Sequence, residues 1–340
     1  MKKLFAVCVL ILASPLLHAA TGVDYFLNDW EKAKKLARKE SKPLYVHFTT
    51  EGCGWCKKIE KDVYNNKKGK QALKAFVPVS LDCTVRNRKG KELENAKKYR
   101  KLMKKWGGGG YPFLVQVTAD GIVFNSWAGY LPVDPFVKKL ETGQKKLQSF
   151  KTFQKKTKTA DTDSYEFNVQ AMNIYMGVQQ HKKALHAAEK VLELDPDNKR
   201  GNGAKAAMIR FQTLQKSGKR DELSEALNQV QNFDPKNKDG FWERAVTSYV
   251  MSLLQNARST PPAQLKKQVV EATDKMEKLT EADVKLKEPQ KDHYFLGILY
   301  AQQGKREKAL KTLQKAISFN PDSREGKYIK QIIQQIKKEK

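Results

Sequence analysis

The feature that most restricts the fold is a repeated spacing in the second half of the chain. Tyr, Ala and Pro recur at intervals of 9 and 12 residues in two places: Tyr175, Ala184, Pro196 and Tyr300, Ala309, Pro321. From about residue 164 every segment has helical period, and strand-like patterns are absent from the sequence there. Helix pairs of this kind bury their apolar faces only by stacking on neighbouring pairs. The sequence therefore predicts an all-α stack of helix pairs over residues 164–340.

A short Pro-containing motif follows several of the predicted helices. It occurs as Asp195-Pro196-Asp197-Asn198, Asp234-Pro235-Lys236-Asn237 and Asn320-Pro321-Asp322-Ser323. The unit that ends at Pro235 fits the repeat spacing weakly, and the segment from Trp242 to about Ala282 is a longer, divergent hairpin. We count two clear repeats and two degenerate ones. The last segment, 325–340, is expected to be a capping helix.

The first half of the chain has a different pattern. Residues 21–148 alternate between helical and strand-like periods in the order αβαβαββα. The predicted strands are Leu44–Phe48, Phe76–Leu81, Phe113–Val117 and Ile122–Trp127. Predicted helices cover 25–40, 92–106 and 135–147, besides the segment that begins at Cys56. Residues 149–163 are polar and rich in Lys and Thr, and we interpret them as a linker.

The most informative short motif is Cys53-Gly-Trp-Cys56, which follows the strand Leu44–Phe48 and opens a helix. A CxxC motif alone is compatible with a metal site or a redox pair, and this context favours redox chemistry. A helix N-terminus stabilises a thiolate at Cys53, and Lys57 and Lys58 add positive charge. The thiolate is the attacking species in disulfide exchange. Cys56, one turn later, is expected to resolve the mixed disulfide and to be the more buried cysteine.

With these features, residues 21–148 resemble the exported thioredoxin-like domains that have a CGWCK active site. Tyr111-Pro112 precedes a predicted strand at the place where that family carries a cis-proline facing the redox pair. The resemblance implies that Pro112 is cis and packs against Cys53 and Cys56. It also implies that Tyr111 offers its backbone to a substrate polypeptide. No metal and no organic cofactor is implied.

The second half resembles tetratricopeptide (TPR) repeats. The residues that carry this likeness are Leu296, Gly297, Tyr300, Ala309, Ala316 and Pro321. The resemblance implies a helical surface for an as yet unidentified protein partner. The predicted fold class is thus an α/β thioredoxin fold followed by an all-α, TPR-like helical-repeat domain.

The chain departs from thioredoxins near the cysteines. His47 stands six residues before Cys53, where thioredoxins have a buried Asp, and Gly52 stands where they have Trp. One hypothesis gives His47 a catalytic role in handling the proton of Cys56, because histidine titrates near neutrality. The alternative is a structural histidine, and the sequence does not tell which face of the strand His47 occupies. We interpret Trp55, between the cysteines, as a substrate contact.

Residues 1–20 have the composition of a cleaved secretory signal peptide. Lys2 and Lys3 precede an apolar run, 4–17, and cleavage is expected after Ala19 or Ala20. An uncleaved anchor is the alternative. The prediction is a periplasmic or secreted protein without a stable membrane span after cleavage. The mature chain then keeps three cysteines, of which Cys83 is a buried spare thiol or a regulatory one.

The formal net charge is +28, spread over both halves. The sequence has no nucleic-acid-binding motif, no phosphate-binding loop and no nucleophile elbow, so we expect no nucleic-acid partner and interpret the charge as a solvated basic surface. The predicted function is a thiol–disulfide oxidoreductase acting on protein thiols and disulfides, with the reductase direction slightly favoured over oxidase or isomerase. The alternative is an exported TPR scaffold whose thioredoxin module is structural and redox-inactive.

Overall fold

The computed structural model describes residues 25–217, 220–282 and 284–338. The predicted signal peptide, residues 1–20, lies outside them. The chain divides into two compact units: Met1–Lys158 with Gly177–Gln180, and Thr159–Met176 with His181–Lys340. Over the described ranges, every helix is too short or too polar to cross a bilayer.

The first unit is built around a four-stranded mixed sheet. Its elements are α1 (Trp30–Lys39), β1 (Leu44–Thr49), α2 (Gly54–Ile59), α3 (Lys67–Leu73), β2 (Val77–Asp82), α4 (Gly90–Lys105), β3 (Phe113–Val117), β4 (Val123–Ala128) and α5 (Val133–Lys156). A π-helical turn, Glu60–Tyr64, follows α2. The strand order is β2-β1-β3-β4, with β1 parallel to β2 and both other pairs antiparallel. This confirms the predicted α/β order, to which the structure adds α3.

The central strand β1 is buried over its whole length because both faces of the sheet are covered. Leu44, Val46 and Phe48 belong to the apolar core formed with α1 and α4. Tyr45 and His47 alternate with them and therefore point to the opposite face, where an aromatic cluster includes Tyr45. His47 therefore lies on the same face of the sheet as Tyr45.

The first helix begins later than its apolar spacing predicts. The pattern suggested a start at Tyr25, whereas α1 starts at Trp30. Asp29 explains the difference, because its Oδ1 accepts the backbone N–H groups of Glu31 (2.8 Å) and Lys32 (3.0 Å). An Asp in this position satisfies the free donors of a first turn and fixes where the helix begins.

The last helix of the first unit is longer than predicted. We expected it to end at Leu147, and α5 continues to Lys156, through the first half of the proposed linker. Phe150 and Phe153 are both buried and continue the spacing of Leu140 and Leu147 on one face. The polar composition of this segment reflects its exposed face only. The predicted domain limits, 21–148 and 164–340, stay predictions.

The second unit is helical throughout its described residues. Its helices are α6 (Tyr165–Gly177), α7 (His181–Leu194), α8 (Gly203–Ser217), α9 (Arg220–Phe233), α10 (Phe241–Asn256), α11 (Pro262–Glu281), α12 (Pro289–Gln302), α13 (Arg306–Phe319) and α14 (Arg324–Lys338). Helices α8 to α13 stack around one continuous apolar core, as the repeat spacing predicts. The divergent hairpin is α10 with α11, and α14 is the predicted capping helix, packed on α13.

The repeated Asp-Pro motif has a structural role. Asp195 follows α7, and its two carboxylate oxygens accept the backbone N–H groups of Lys199 (2.9 Å) and Arg200 (2.8 Å). Asp234 follows α9 and accepts the N–H of Phe241 (2.8 Å), the first residue of α10. The carboxylate thus satisfies backbone donors between one helix pair and the next. This explains the two copies of the motif that begin with Asp.

Candidate functional site

Cys53 and Cys56 form a disulfide with an S–S distance of 2.02 Å. Cys53 is the N-cap residue of α2, and the backbone N–H of Cys56 donates to Cys53 Sγ over 3.1 Å. Cys53 is 9% exposed and Cys56 only 1%. The order of burial agrees with the prediction that Cys56 is the inner cysteine. A thiolate at Cys53 would keep a backbone donor, which favours the ionised sulfur.

The Tyr111–Pro112 peptide bond is cis, as the resemblance predicts. Pro112 immediately precedes β3, which runs antiparallel to β1. The turn that carries Cys53 follows the end of β1, which pairs with the start of β3. The cis-proline loop and the cysteine turn therefore lie at the same end of these two strands. The N–H of Gly129 donates to the carbonyl of Pro112 over 2.9 Å. This bond attaches the loop after β4 to the cis-proline loop.

His47 is completely buried, and neither ring nitrogen has a hydrogen-bond partner. Its ring packs edge-on against Tyr64, with centroids 5.6 Å apart. Burial lowers the pKa of His47 to about 3, because the surroundings disfavour the imidazolium. His47 is therefore neutral at physiological pH.

Trp55 is 59% exposed and is the most exposed large hydrophobic residue among those described. Its ring lies beside Tyr130, with centroids 5.9 Å apart. The Tyr130 hydroxyl donates to Asp62 (2.9 Å), and the Lys58 ammonium lies over the Tyr130 ring (5.2 Å) and pairs with Asp62 (2.8 Å). These contacts hold Tyr130 in place next to the exposed indole ring of Trp55. The sequence reasoning missed Tyr130, although it directly follows Gly129 at the end of the last strand.

Glu60 is a second residue that the sequence reasoning missed. It follows Cys56 by four residues, so both side chains lie on one helical face. The carboxyl is partly buried. This burial raises its pKa to about 7, against the opposing effect of the Lys57 charge. The spacing of four from Cys56 is the signal that was available in the sequence.

Cys83 directly follows β2 and is fully buried as a free thiol. Burial raises the pKa of the Cys83 thiol to about 11, and the thiol shares a hydrogen bond with Tyr111. It is therefore protonated and shielded at neutral pH. This agrees with the interpretation of a buried spare thiol.

The potential ligands for a metal ion are dispersed. Within residues 25–217, 220–282 and 284–338, no group of three or more His, Cys, Asp or Glu side chains is arranged to hold a metal. The two cysteines of the motif are bonded to each other. The position of the two cysteines at the start of α2 is suited to sulfur exchange between Cys53, Cys56 and a third sulfur.

Family comparisons match both parts of the chain. Residues 30–144 match a thioredoxin-like domain. Residues 171–198 and 290–323 match tetratricopeptide repeats. No curated protein matches the chain.

Several solved structures resemble one part of the chain. The C-terminal domain of DsbD from Neisseria meningitidis, in the oxidised form, is 24% identical, with 35% of this chain and 98% of that chain covered and a TM-score of 0.29. A thioredoxin from Thermus thermophilus is 22% identical over 34% and 84% of the two chains, with a TM-score of 0.28. The TPR protein YrrB is 20% identical over 56% and 87%, with a TM-score of 0.40.

Proposed function

The chain carries a thioredoxin-like domain followed by tetratricopeptide repeats, and on this premise we propose that it is a thiol–disulfide oxidoreductase acting on protein disulfides. The observation that carries the proposal is the Cys53–Cys56 disulfide at the start of α2, with Cys53 at the N-cap and Cys56 behind it. Two cysteines so placed can be interconverted between the disulfide and the dithiol by thiol–disulfide exchange.

The proposed reaction begins with the reduced pair. The Cys53 thiolate attacks one sulfur of a substrate disulfide, the substrate S–S bond breaks, and the other substrate sulfur leaves as a thiolate. Cys56 then loses its proton and attacks Cys53 Sγ, which releases the second substrate sulfur and forms the Cys53–Cys56 disulfide. Two electrons pass to the substrate, and a dithiol donor must return the pair to the reduced state.

The second step needs a base for the Cys56 proton, and we assign this role to Glu60 rather than His47. A base with a pKa near 7 is half ionised at neutral pH and can accept a proton there. His47, with a pKa near 3, binds a proton too weakly to compete. The position of Glu60 one turn after Cys56 supports the same assignment.

We propose that the substrate polypeptide binds beside the cysteine turn, at the surface formed by Trp55, Tyr111 and Pro112. Trp55 offers an exposed aromatic ring, and Tyr130 supports it from one side. Tyr111 directly precedes the cis bond. Its backbone lies before the start of β3, at the same end of the strands as the Cys53 turn that follows β1. Extended substrate segments use such free backbone groups together with apolar contacts.

We propose the reductase direction for this reaction. The support is the resemblance of the CGWCK segment to exported thioredoxin-like domains. Thioredoxin itself has a reduction potential of about −270 mV, whereas a strong oxidant of the same fold lies near −120 mV.

The repeats are proposed to bind a protein partner. Phe319 and Tyr328 are 45% and 54% exposed, and they line a groove of about 670 Å³ with Tyr294 and Phe295. Exposed aromatic groups around a groove are typical of interaction sites. A photo-crosslinker at Tyr328 is expected to give a specific adduct in cells, and one at the exposed Lys330 on the same helix is the matched control.

We also propose that the protein works after export, in the periplasm or outside the cell. The support is the signal-like sequence of residues 1–20. Fractionation with N-terminal sequencing is expected to give an exported chain that starts at Ala20 or Thr21. A cytoplasmic chain that still starts at Met1 would contradict this proposal.

The experiment that tests the oxidoreductase proposal is trapping of the mixed disulfide. A Cys56→Ser variant lacks the resolving thiol, so Cys53 should stay bonded to its substrates, and mass spectrometry identifies the attached cysteines. The Cys53→Ser variant is the matched control and should trap none. Equal, low labelling of both variants would favour the alternative function, a TPR scaffold with a redox-inactive module.

A further inference from the structure

The turn that presents Cys53 is closed by a hydrogen bond from the Cys53 N–H to the carbonyl of Thr50 (3.0 Å). Glu51 and Gly52 are its two corner residues. The corner at Glu51 is held twice by the segment that follows β2. Its backbone N–H donates to Thr84 Oγ1 (2.9 Å), and its carboxylate accepts from the Arg88 guanidinium. The position of Cys53 thus depends on residues more than thirty positions away in the chain.

The hydroxyl of Thr84 is fixed in one orientation. Thr84 Oγ1 donates to Asp82 Oδ1 (2.6 Å), so an oxygen lone pair is left to accept the Glu51 N–H. Asp82 Oδ1 also accepts the backbone N–H of Thr84 (2.8 Å). Asp82 ends β2 and pairs in register with Thr49, the last residue of β1. The Glu51 corner is therefore attached to the end of the neighbouring strand.

Arg88 is the only cation in contact with three carboxylates among the described side chains. It binds Glu51, Asp82 (3.2 Å) and Glu92 (3.2 Å). The guanidinium is 27% exposed, so water screens these contacts only in part. Loss of Arg88 would leave three negative charges beside the turn that carries Cys53.

We propose that Asp82, Thr84 and Arg88 form a positioning assembly that fixes the Glu51 corner of the Cys53 turn and neutralises the Glu51 charge. This neutralisation favours the ionised, thiolate form of Cys53. The assembly deepens the proposed oxidoreductase function and rests on it. None of the three residues touches the reacting sulfurs, so their effect passes through Glu51.

The charge effect has a definite sign. Glu51 precedes Cys53 by two residues, which places their Cα atoms within about 7 Å of each other. An unneutralised carboxylate on so near a residue disfavours a second anion. At an effective dielectric between that of protein and water, the Cys53 pKa should rise by about half a unit, or about threefold in the thiolate equilibrium.

The test measures the pKa of Cys53 from the pH dependence of its alkylation rate in the reduced full chain. Arg88→Met removes the guanidinium, and Arg86→Met is the matched control, because it removes an exposed cation from the same loop. Glu51→Gln, alone and combined with Arg88→Met, completes a double-mutant cycle. Thr84→Val removes the hydroxyl, whereas Thr84→Ser keeps it.

The expected result is an upward shift of the Cys53 pKa by about half a unit in Arg88→Met, a clearly smaller shift in Arg86→Met, and the loss of most of the Arg88→Met shift in the double variant. Thr84→Val should slow the alkylation of Cys53, and Thr84→Ser should alkylate like the wild type. Equal shifts in the two Arg variants would overturn the proposal.

Two further outcomes are separated by design. If Arg88→Met does not fold by circular dichroism, Glu51→Gln in the otherwise wild-type chain still decides: removal of the Glu51 charge should lower the Cys53 pKa, and an unchanged pKa would overturn the proposal. Alkylation does not need disulfide exchange. A Cys53 that alkylates as expected but never exchanges disulfides would therefore refute the proposed function and leave the assembly supported.

Discussion

Glu60 lies one helical turn after Cys56, and its backbone N–H donates to the Cys56 carbonyl. The partly buried carboxyl of Glu60 has its pKa raised to about 7 by desolvation. The π-helical turn begins at Glu60, directly after the α-helix that carries Cys56 and has Cys53 as its N-cap ends at Ile59. A proton acceptor on the face of the inner cysteine fits the proposed resolution step, in which Cys56 would lose its proton.

We expect Glu60→Gln to slow the resolution step. A general base contributes about 100-fold or more to such a step, so a loss of that order is expected at neutral pH. In the wild type, the resolution rate should rise with pH through about 7, as Glu60 ionises. Stopped-flow release of a model peptide from the mixed disulfide measures this rate. The control is Glu94→Gln on α4, and a Glu60→Gln variant with the wild-type pH profile would refute the assignment.

The same variant should change the dependence of stability on pH. The folded-state pKa of Glu60 is raised, so its contribution to the free energy of unfolding is fully present below about 4.5 and is lost as the pH rises through about 7. Glu60→Gln lacks this loss. Its urea midpoint should match that of the wild type in acid and exceed it above neutral pH. A difference that stays constant with pH would contradict the raised pKa.

His47→Leu separates the two candidates for proton transfer. Because both ring nitrogens are buried without partners, their removal should increase the free energy of unfolding by about 1 kcal/mol at neutral pH. The folded-state pKa of His47 is lowered from 6.5 to about 3, so its contribution is present above about 6.5 and lost as the pH falls towards 3. The advantage of the leucine variant should therefore grow on acidification. A large loss of resolution rate in His47→Leu would instead restore histidine as the base.

Trp55→Ala should weaken binding of protein substrates without changing the redox pair. The ring is exposed, so its removal costs little folding free energy. We expect the KM for a reducible protein substrate to rise several-fold and kcat for a small disulfide such as oxidised glutathione to stay the same. Tyr25→Ala, at another exposed aromatic residue, serves as the control. Equal KM values in both variants would exclude Trp55 as a substrate contact.

The repeat unit has its own titrating group. Asp292 is fully buried beside Glu243, and Thr247 Oγ1 donates to Asp292 Oδ1 (3.0 Å). Burial, and then the negative charge of Glu243, raise the pKa of Asp292 to about 8. Its stabilising contribution is therefore lost as the pH rises through about 8. Asp292→Asn should unfold at a higher temperature than the wild type in alkali and at nearly the same temperature in acid, by calorimetry.

Much of the fold followed from the sequence because the informative residues act locally. The repeat spacing and the cysteine motif each specify short segments, and Pro112 precedes its strand directly. His47 could not be assigned to a face, because β1 is buried on both sides and its hydrophobicity does not alternate. The extension of α5 was hidden by polar residues, although Phe150 and Phe153 continue the apolar spacing.

The Arg88 assembly depends on tertiary contacts that no local pattern contains. Arg88 and Glu51 lie 37 positions apart, and no sequence motif includes both of them. Their proximity follows from the parallel pairing of β1 and β2, which brings the ends of both strands together. Glu60 is intermediate, because its spacing from Cys56 is readable in the sequence, whereas the burial that raises its pKa is not.

The central claim is that Cys53 and Cys56 form a reversible redox pair. The most direct measurement is the reduction potential of the pair in the purified full chain, by glutathione titration with thiol trapping and a Cys53→Ser control. We predict one two-electron transition with a potential below about −220 mV, in the range of reducing members of this fold. A reversible potential near −120 mV would instead indicate an oxidant. The absence of any reversible transition between the two cysteines would contradict the account.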